Sequence, residues 1–253
     1  MAFRRRAAAA GAVAITAVAL GWHERWERVG SAQRLERWGR SWSAPTPSFH
    51  RSTPHDALLR FERRWLAPSA AEVELAEEAP SAQRVLVPLC GMTLDMAYLH
   101  ERGHIVLGVD GIEKALSGMR ENHPELEISR ALPLGTVNSS PVWPSLAFEA
   151  HASWDGRLWF LLGDFFRLLS PPGVLAKRFT RVLDRGSLVA VAPETRAEYA
   201  RVIDAALEPG GRVLLISIDR KEGEPQALKA GPPFSVGRQE IERLFGAWLG
   251  GVR

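Results

Sequence analysis

From position 84 onward, short apolar runs alternate with longer amphipathic stretches. Five of these runs are five to seven residues long, which is typical of strands buried on both faces of a sheet: 84–88, 104–109, 157–162, 179–183 and 212–218. The stretches between and after them predict helices at about 92–102, 112–121, 194–207 and 238–245. This alternation predicts an α/β fold, with a doubly wound, mostly parallel sheet and flanking helices.

The pattern before position 84 is different. Arg4-Arg5-Arg6 precedes an Ala/Val-rich run of about 14 residues, which is short for a membrane span. We therefore exclude residues 1–21 from the fold and interpret them as a targeting segment. The alternatives are a membrane anchor and a helix with no targeting function. Residues 22–66 predict a helical cap on a single domain of 22–253. Within the cap, Thr53-Pro54 predicts a helix start with Thr53 as N-cap.

Residues 131–157 form the longest stretch without a periodic pattern. They are rich in Pro, Ser and Trp, and a loop of this length is usually a functional lid or an insert. We therefore predict an irregular insert that can reshape a ligand pocket.

The charge is uneven along the chain. The net charge is +3, yet residues 1–64 carry twelve arginines and five acids, so the remainder is net acidic. A basic N-terminus does not support nucleic-acid binding by the α/β part. The single cysteine, Cys90, excludes an intrachain disulfide, and a small buried thiol is its expected role.

The first two strands carry the candidate chemistry. Strand 84–88 leads into the turn Pro88-Leu89-Cys90-Gly91, and the next strand ends at Asp110. A tight turn lets a ligand approach the backbone, and an acid at the end of the second strand can accept hydrogen bonds from ribose hydroxyls. Because the turn has one glycine rather than three, a nucleotide cofactor without a pyrophosphate fits better than a dinucleotide.

Five blocks in order between Trp38 and Gly246 resemble the thiopurine S-methyltransferase family, a branch of the S-adenosylmethionine-dependent methyltransferases. The first three are Trp38-x-x-x-Trp42 with Phe49-His50, the turn Pro88-Leu89-Cys90-Gly91, and the strand from Gly103-His104 to Asp110. The last two are Asp184-Arg185-Gly186, and Gly231-Pro232-Pro233-Phe234 with Ile241-Glu242-Arg243. Each block alone is weak, but five in this order and spacing are specific.

The resemblance implies a Rossmann-like methyltransferase fold with S-adenosyl-L-methionine as cofactor. It assigns Asp110 to the ribose hydroxyls, and Asp164 and Phe165 to the adenine. The full set implied for cofactor binding is Trp38, Trp42, Leu89, Gly91, Asp110, Asp164, Phe165 and Arg185. The set implied for the acceptor is Phe49, Arg185 and Arg243.

Methyl transfer from a sulfonium requires alignment and exclusion of water more than acid–base chemistry. Arg185 and Arg243 would favour the thiolate form of an acceptor, because a nearby cation lowers the pKa of a thiol. Asp184 or His50 would take the proton where a base is needed. The catalytic candidates are therefore Asp184, Arg185 and His50.

Two departures from the family pattern stand out. Thr180 and Arg181 occupy the fourth strand, where the family has an acid and an apolar residue. A charge in a central strand is costly unless it reaches water or a partner. The chain also ends at Arg253, where the family continues through further strands, so we expect the C-terminal strands of the sheet to be missing.

Other functions stay open. A related scaffold could methylate a halide, thiocyanate or a small thiol, and a shortened chain could bind the cofactor without catalysis; a nicotinamide dehydrogenase is disfavoured by the single-glycine turn. We expect a small-molecule thiol partner, no nucleic acid, no stable membrane span and a monomer. No metal is expected because the histidines lack ligand spacing. A cytoplasmic or organellar location is expected.

Overall fold

The computed structural model describes residues 32–36, 38–40, 42–43, 50–68, 82–130, 148–168, 175–220 and 231–246. The chain divides into two compact units, Met1–Pro45 and Thr46–Arg253. In the first unit, residues 32–36 and 38–40 are helical, and the Trp42 amide donates to the carbonyl oxygens of Trp38 and Gly39 at 3.2 Å each. The predicted targeting segment 1–21 lies outside the described residues.

The second unit is built on a seven-stranded mixed sheet. The strands are β1 (Arg84–Pro88), β2 (Ile105–Asp110), β3 (Ser129–Arg130), β4 (Glu149–Ala152), β5 (Leu158–Leu162), β6 (Phe179–Arg185) and β7 (Leu207–Ile216). Their order is β3-β4-β5-β2-β1-β6-β7. The central five, from β5 to β7, are parallel, whereas β3 and β4 pair antiparallel. The predicted α/β sheet with flanking helices is confirmed.

Five α-helices are described in this unit: α1 (Asp56–Leu66), α2 (Leu94–Glu101), α3 (Glu113–Asn122), α4 (Arg196–Ala206) and α5 (Arg238–Phe245). The predicted start of α1 is wrong. The helix begins after His55, whose Nδ1 accepts a hydrogen bond from the Ala57 amide (3.1 Å) and so provides the N-cap. A neutral imidazole nitrogen can therefore replace the hydroxyl that Thr53 was predicted to supply. Among the described residues, none of the helices has the length and apolar character to cross a bilayer.

The predicted insert and one turn rich in Pro and Gly contain strand structure. Strand β4 lies inside the stretch predicted to be irregular, of which residues 131–147 lie outside the described residues; it pairs antiparallel with β5. The Glu208–Gly211 turn (208–211) is an irregularity within β7, where the partner of β6 advances from Leu207 to Arg212 between Phe179 and Arg181. Both stretches lie toward the two ends of the strand order, where local sequence gives little indication of pairing.

Close packing beneath the sheet depends on one glycine of β2. A Cβ atom at Gly108 would lie 2.5 Å from the Met96 sulfur and 2.7 Å from the Cys90 sulfur. Glycine therefore lets β2 approach α2 closely. On the other side, a continuous apolar core joins the sheet to α4 and α5, with contributions from Leu86, Leu107, Val182, Tyr199, Ile203 and Phe245.

The order in which successive strands are added to the sheet reverses between β1 and β6. Strand β2 lies on one side of β1 and β6 on the other. Ligands in such sheets bind at this switch point, beyond the carboxyl ends of the strands. The loops after β1, β2, β5 and β6 are therefore the candidate site.

Candidate cofactor and acceptor site

The turn after β1 is held in an uncommon backbone conformation. Leu89 has φ 42° and Gly91 has φ 55°, so a non-glycine residue lies in the left-handed region. The Cys90 amide donates to the carbonyl oxygen of Val109 (3.0 Å), which fixes the turn against β2. Strain of this kind is found where the surrounding structure fixes a ligand-binding backbone.

Asp110 connects this turn to the end of β2. Its buried carboxylate accepts hydrogen bonds from the amides of Gly91 (2.9 Å) and Ile112 (3.0 Å). Burial raises the pKa of Asp110 to about 6, although these backbone hydrogen bonds favour the charged form. A carboxylate at the end of the second strand, beside the first turn, is the acceptor that a ribose diol requires, so the residues present fit a nucleoside cofactor.

The end of β5 reaches the same place. The Gly163 amide donates to the carbonyl oxygen of Asp110 (2.9 Å), and the Asp164 side chain accepts from the Phe166 amide (3.1 Å). Phe165 is only 1% exposed, and its ring lies 5.2 Å from that of Tyr199. This placement gives Phe165 a role in the core, and contacts of Asp164 and Phe165 with adenine stay predictions.

Asp184 closes the turn that follows β6. One oxygen accepts from the amides of Ser187 (2.9 Å) and Leu188 (3.1 Å), and the other accepts from the Tyr199 hydroxyl (2.8 Å). The Ser187 hydroxyl donates to the Pro88 carbonyl oxygen (2.6 Å), so the turns after β6 and β1 are joined. Burial raises the pKa of Asp184 to about 6. These contacts make Asp184 a structural carboxylate, and proton transfer by it stays a prediction.

Asp184→Asn is expected to match or exceed the wild-type thermal midpoint at pH 7.5. The folded pKa of about 6 lies above the unfolded value of about 4, so the stability that Asp184 contributes is fully present below about pH 4. It is lost as the pH rises through about 6. When the pH is lowered from 8 to 5, protonation of Asp184 should stabilise the wild-type protein. Asparagine does not ionise, so the thermal midpoint of the variant should rise less than that of wild type over the same pH range.

Asp184→Ala is the matched control, because it removes the acceptor for the Ser187 and Leu188 amides and should cost about 1–3 kcal/mol. A loss at pH 7.5 as large in the asparagine variant as in the alanine variant would contradict this prediction. A kcat that is unchanged across pH in Asp184→Asn would remove Asp184 from the candidate proton acceptors.

Arg185 follows Asp184 and is mostly buried. Its Nε lies 3.8 Å from Oδ2 of Asp95, and burial lowers the pKa of Arg185 while the Asp95 carboxylate opposes that shift. Asp95 also accepts a hydrogen bond from the His55 amide (2.7 Å). Neither Asp95 nor His55 was identified from the sequence. An acid in the first turn of the helix after the glycine turn was the available signal, but it is equally typical of helix capping.

The C-terminal block docks beside the turn after β6. The Phe234 amide donates to the Val189 carbonyl oxygen (2.6 Å), and the Arg196 guanidinium lies 5.7 Å from the Phe234 ring. Gly231 has φ 54°, and a Cβ atom there would lie 2.2 Å from that ring. Arg243 lies on the exposed side of α5, paired with Glu240 at 2.8 Å. Its predicted contact with the acceptor stays a prediction.

The remaining candidates are placed as follows. Cys90 is buried, and burial raises the pKa of its thiol, which agrees with a structural role. His50 is half-buried at the start of a described segment, and Phe49 lies outside the described residues. Trp38 and Trp42 belong to the first unit, so their contact with the cofactor stays a prediction. In the described ranges, no three His, Cys, Asp or Glu side chains are grouped to hold a metal ion.

The structure therefore brings Gly91, Asp110, Asp184 and Arg185 to the switch point among the parallel strands of the sheet. A buried carboxylate at the end of β2 and a turn with a single glycine fit the nucleoside cofactor of an S-adenosylmethionine-dependent methyltransferase. The sequence model of the family described as thiopurine S-methyltransferase matches residues 33–250. The chain belongs to the thiopurine S-methyltransferase family.

Bacterial relatives named thiopurine S-methyltransferase are similar over most of this chain. The Pseudomonas putida protein is 33% identical over 212 residues, which cover 83% of this chain and 82% of the relative. The Marinobacter nauticus protein is 33% identical over 211 residues, covering 83% and 81%. A solved structure of a Burkholderia thailandensis 1,6-didemethyltoxoflavin-N1-methyltransferase is 20% identical with a TM-score of 0.44, covering 76% of this chain and 64% of its own.

Proposed function

We propose that this protein transfers the methyl group of S-adenosylmethionine to the sulfur of an aromatic or heterocyclic thiol. The observation that carries the proposal is the mostly buried cation Arg185, which is the last residue of β6 and is joined through Ser187 and Pro88 to the cofactor turn. A cation at this place would hold an electron-rich sulfur beside the reacting methyl group. The names of the relatives support sulfur as the atom that is methylated.

Asp110 and the Leu89–Gly91 turn (89–91) would hold the nucleoside, with Trp38, Trp42, Asp164 and Phe165 as further proposed contacts. When bound, the cofactor supplies an electrophilic methyl group on a positively charged sulfur. Arg185 lowers the pKa of an acceptor thiol and so raises the fraction of thiolate, because a cation stabilises the ionised form. Phe49 and Arg243 are proposed to complete the acceptor side.

A heterocyclic thiol that is already ionised needs no strong base, and Asp184 or His50 is proposed to take the proton from an acceptor that is not. The work of the site is then to align the sulfur with the methyl carbon and to exclude water. Both tasks depend on the joined turns after β1 and β6, since they fix Arg185 relative to the nucleoside pocket.

The test is a titration of the full chain with S-adenosylhomocysteine by calorimetry, followed by transfer of labelled methyl groups to a panel of acceptors. We expect transfer to 6-mercaptopurine and thiophenol in preference to thiocyanate and iodide. Preference for the small anions would favour a halide or thiocyanate methyltransferase. Cofactor binding without transfer to any acceptor would identify a binding protein and reject the proposal.

A further inference from the structure

One buried carboxylate beside the site is not used by the proposed mechanism. Asp95 is 1% exposed in the first turn of α2, five residues after Cys90. Its Oδ1 accepts a hydrogen bond from the His55 amide (2.7 Å), and its Oδ2 accepts one from the Thr93 hydroxyl (2.9 Å). The same Oδ2 lies 3.8 Å from Nε of Arg185. Both oxygens therefore have partners, and the partners come from different parts of the chain.

These partners represent three elements of the site. Thr93 belongs to the connection between the cofactor turn and α2 and provides the N-cap of that helix. His55 ends the segment that leads into α1. Arg185 ends β6. A single carboxylate thus links the cofactor turn, the segment that follows Phe49-His50 and the proposed acceptor cation.

The charges around Asp95 explain why a carboxylate is needed there. Burial is the main cause that lowers the pKa values of His55 and Arg185; the charges of Arg51 and Arg185 lower that of His55 further, and Arg51 adds to the shift of Arg185. The two cations therefore repel one another at this side of the site, although Arg51 also pairs with Asp56 at 3.1 Å. Asp95 is the carboxylate that attracts Arg185 and opposes this repulsion. Its removal would let Arg185 move to another position.

We infer that Asp95 is a positioning residue for methyl transfer, which holds Arg185 at the acceptor and fixes the 50–55 segment beside it. The inference rests on the proposed function, because it requires Arg185 to act on the acceptor. Asp95 itself acts through Arg185 and has no contact with the reacting atoms. Its charge should therefore matter for the acceptor and have little effect on the cofactor.

The test is a double-mutant cycle of Asp95→Asn and Arg185→Gln in the full chain. Asparagine keeps an oxygen for the His55 amide and loses the charge that faces Arg185. We expect Asp95→Asn to lower kcat/KM for 6-mercaptopurine by about 10- to 100-fold, as misplacement of a substrate-orienting group does. The Kd of S-adenosylhomocysteine should change by less than about threefold, because Asp110, the 89–91 turn and the other proposed cofactor contacts besides Arg185 stay in place.

In the Arg185→Gln background, Asp95→Asn should change kcat/KM by less than about twofold, since a residue that acts only through Arg185 has nothing left to position. Equal effects in both backgrounds would overturn the inference. Where Asp95→Asn alone does not fold, Arg185→Gln is compared with the double variant, in which both charges leave together. A further tenfold loss in the double variant would then overturn it.

Asp155→Asn is the matched control, because Asp155 is also a nearly buried carboxylate. It accepts hydrogen bonds from Ser153 (2.6 Å) and Arg157 (2.8 Å), before the start of β5 and away from the carboxyl edge. This variant should lower stability and leave kcat/KM for 6-mercaptopurine within about twofold. Wild-type transfer is measured first: its absence rejects the proposed function, whereas transfer with additive effects rejects the role of Asp95 alone.

Discussion

Asp110→Asn is expected to weaken S-adenosylhomocysteine binding by at least about 100-fold, because it removes a charged acceptor of two ribose hydrogen bonds. The fold should survive, since asparagine can still accept from the amides of Gly91 or Ile112 that now bind the carboxylate. The measurement is calorimetric titration of the full chain at pH 7.5, with the thermal midpoint recorded for each variant.

The same residue predicts how cofactor affinity changes with pH. The pKa of Asp110 is raised to about 6, so the carboxylate is ionised above this pH and increasingly protonated below it. A proton then competes with the ribose hydroxyls, and wild-type affinity should fall as the pH drops from 7 to 5, by at most about tenfold per unit. The Asp110→Asn protein should show a flat profile over this range.

Asp184→Asn is the matched control for both measurements. Asp184 is also buried and also has a pKa of about 6, but Ser187, Leu188 and Tyr199 occupy its oxygens. Its substitution should leave the Kd of S-adenosylhomocysteine within about threefold. A change of less than threefold in Asp110→Asn, or a similar loss in Asp184→Asn, would contradict the assignment of Asp110 to the ribose.

The central strands could be predicted because each is an apolar run with defined ends. Arg84–Pro88 is buried from its second residue onward, and Ile105–Asp110 likewise. Strand β4 was missed because only one residue of Glu149–Ala152 is buried, so the segment lacks an apolar run. Its pairing with β5 is not encoded in the sequence of the segment itself. The start of α1 was missed because capping by a histidine ring is rarer than capping by threonine.

Some residues of the candidate site could likewise be predicted from the sequence, whereas others could not. Gly91 and Asp110 follow strands directly, so topology alone brings them together. The link from Asp95 to Arg185 joins residues 90 positions apart, and its formation depends on how α2 packs under the sheet. The position of Phe165 depended on which of two adjacent phenylalanines enters the core, and the packing against Tyr199 decides this. The spacing of motifs along the sequence does not predict such pairwise contacts between distant residues.

The contacts of Arg181 explain how a cation is accommodated in β6, the fourth of the predicted strands. It is fully buried in β6, and its guanidinium donates to backbone carbonyl oxygens at the end of α1: Trp65 (2.7 Å), Leu66 (3.4 Å) and Ala67 (2.6 Å). It also donates to the carbonyl oxygen of Thr180 (2.6 Å). The last carbonyls of a helix carry partial negative charge and have no partner within the helix. The buried cation therefore serves as a C-cap that joins α1 to the sheet.

Arg181→Met is expected to destabilise the protein by about 3–5 kcal/mol, because a buried cation and its hydrogen bonds to the Trp65 and Leu66 carbonyl groups are lost, while the Ala67 carbonyl keeps only Arg212 as donor. For a domain of this size the thermal midpoint should fall by about 6–20 °C. Hydrogen exchange, measured by mass spectrometry, should also accelerate relative to wild type more at the amides of α1 than at those of β1 and β2. The reason is that the helix loses its attachment to the sheet first.

Arg212→Met is the matched control on the adjacent strand. Arg212 pairs in register with Arg181 and donates to the carbonyl oxygens of Arg64 (2.9 Å) and Ala67 (2.8 Å), but it is only half-buried. Water can replace its hydrogen bonds, so its loss should cost about 1 kcal/mol. Equal losses in the two variants would show that burial of the cation is unimportant. A midpoint within 2 °C of wild type in Arg181→Met, about 1 kcal/mol or less at this size, would show that α1 is held by its apolar face, through Leu58 and Trp65, without the arginine.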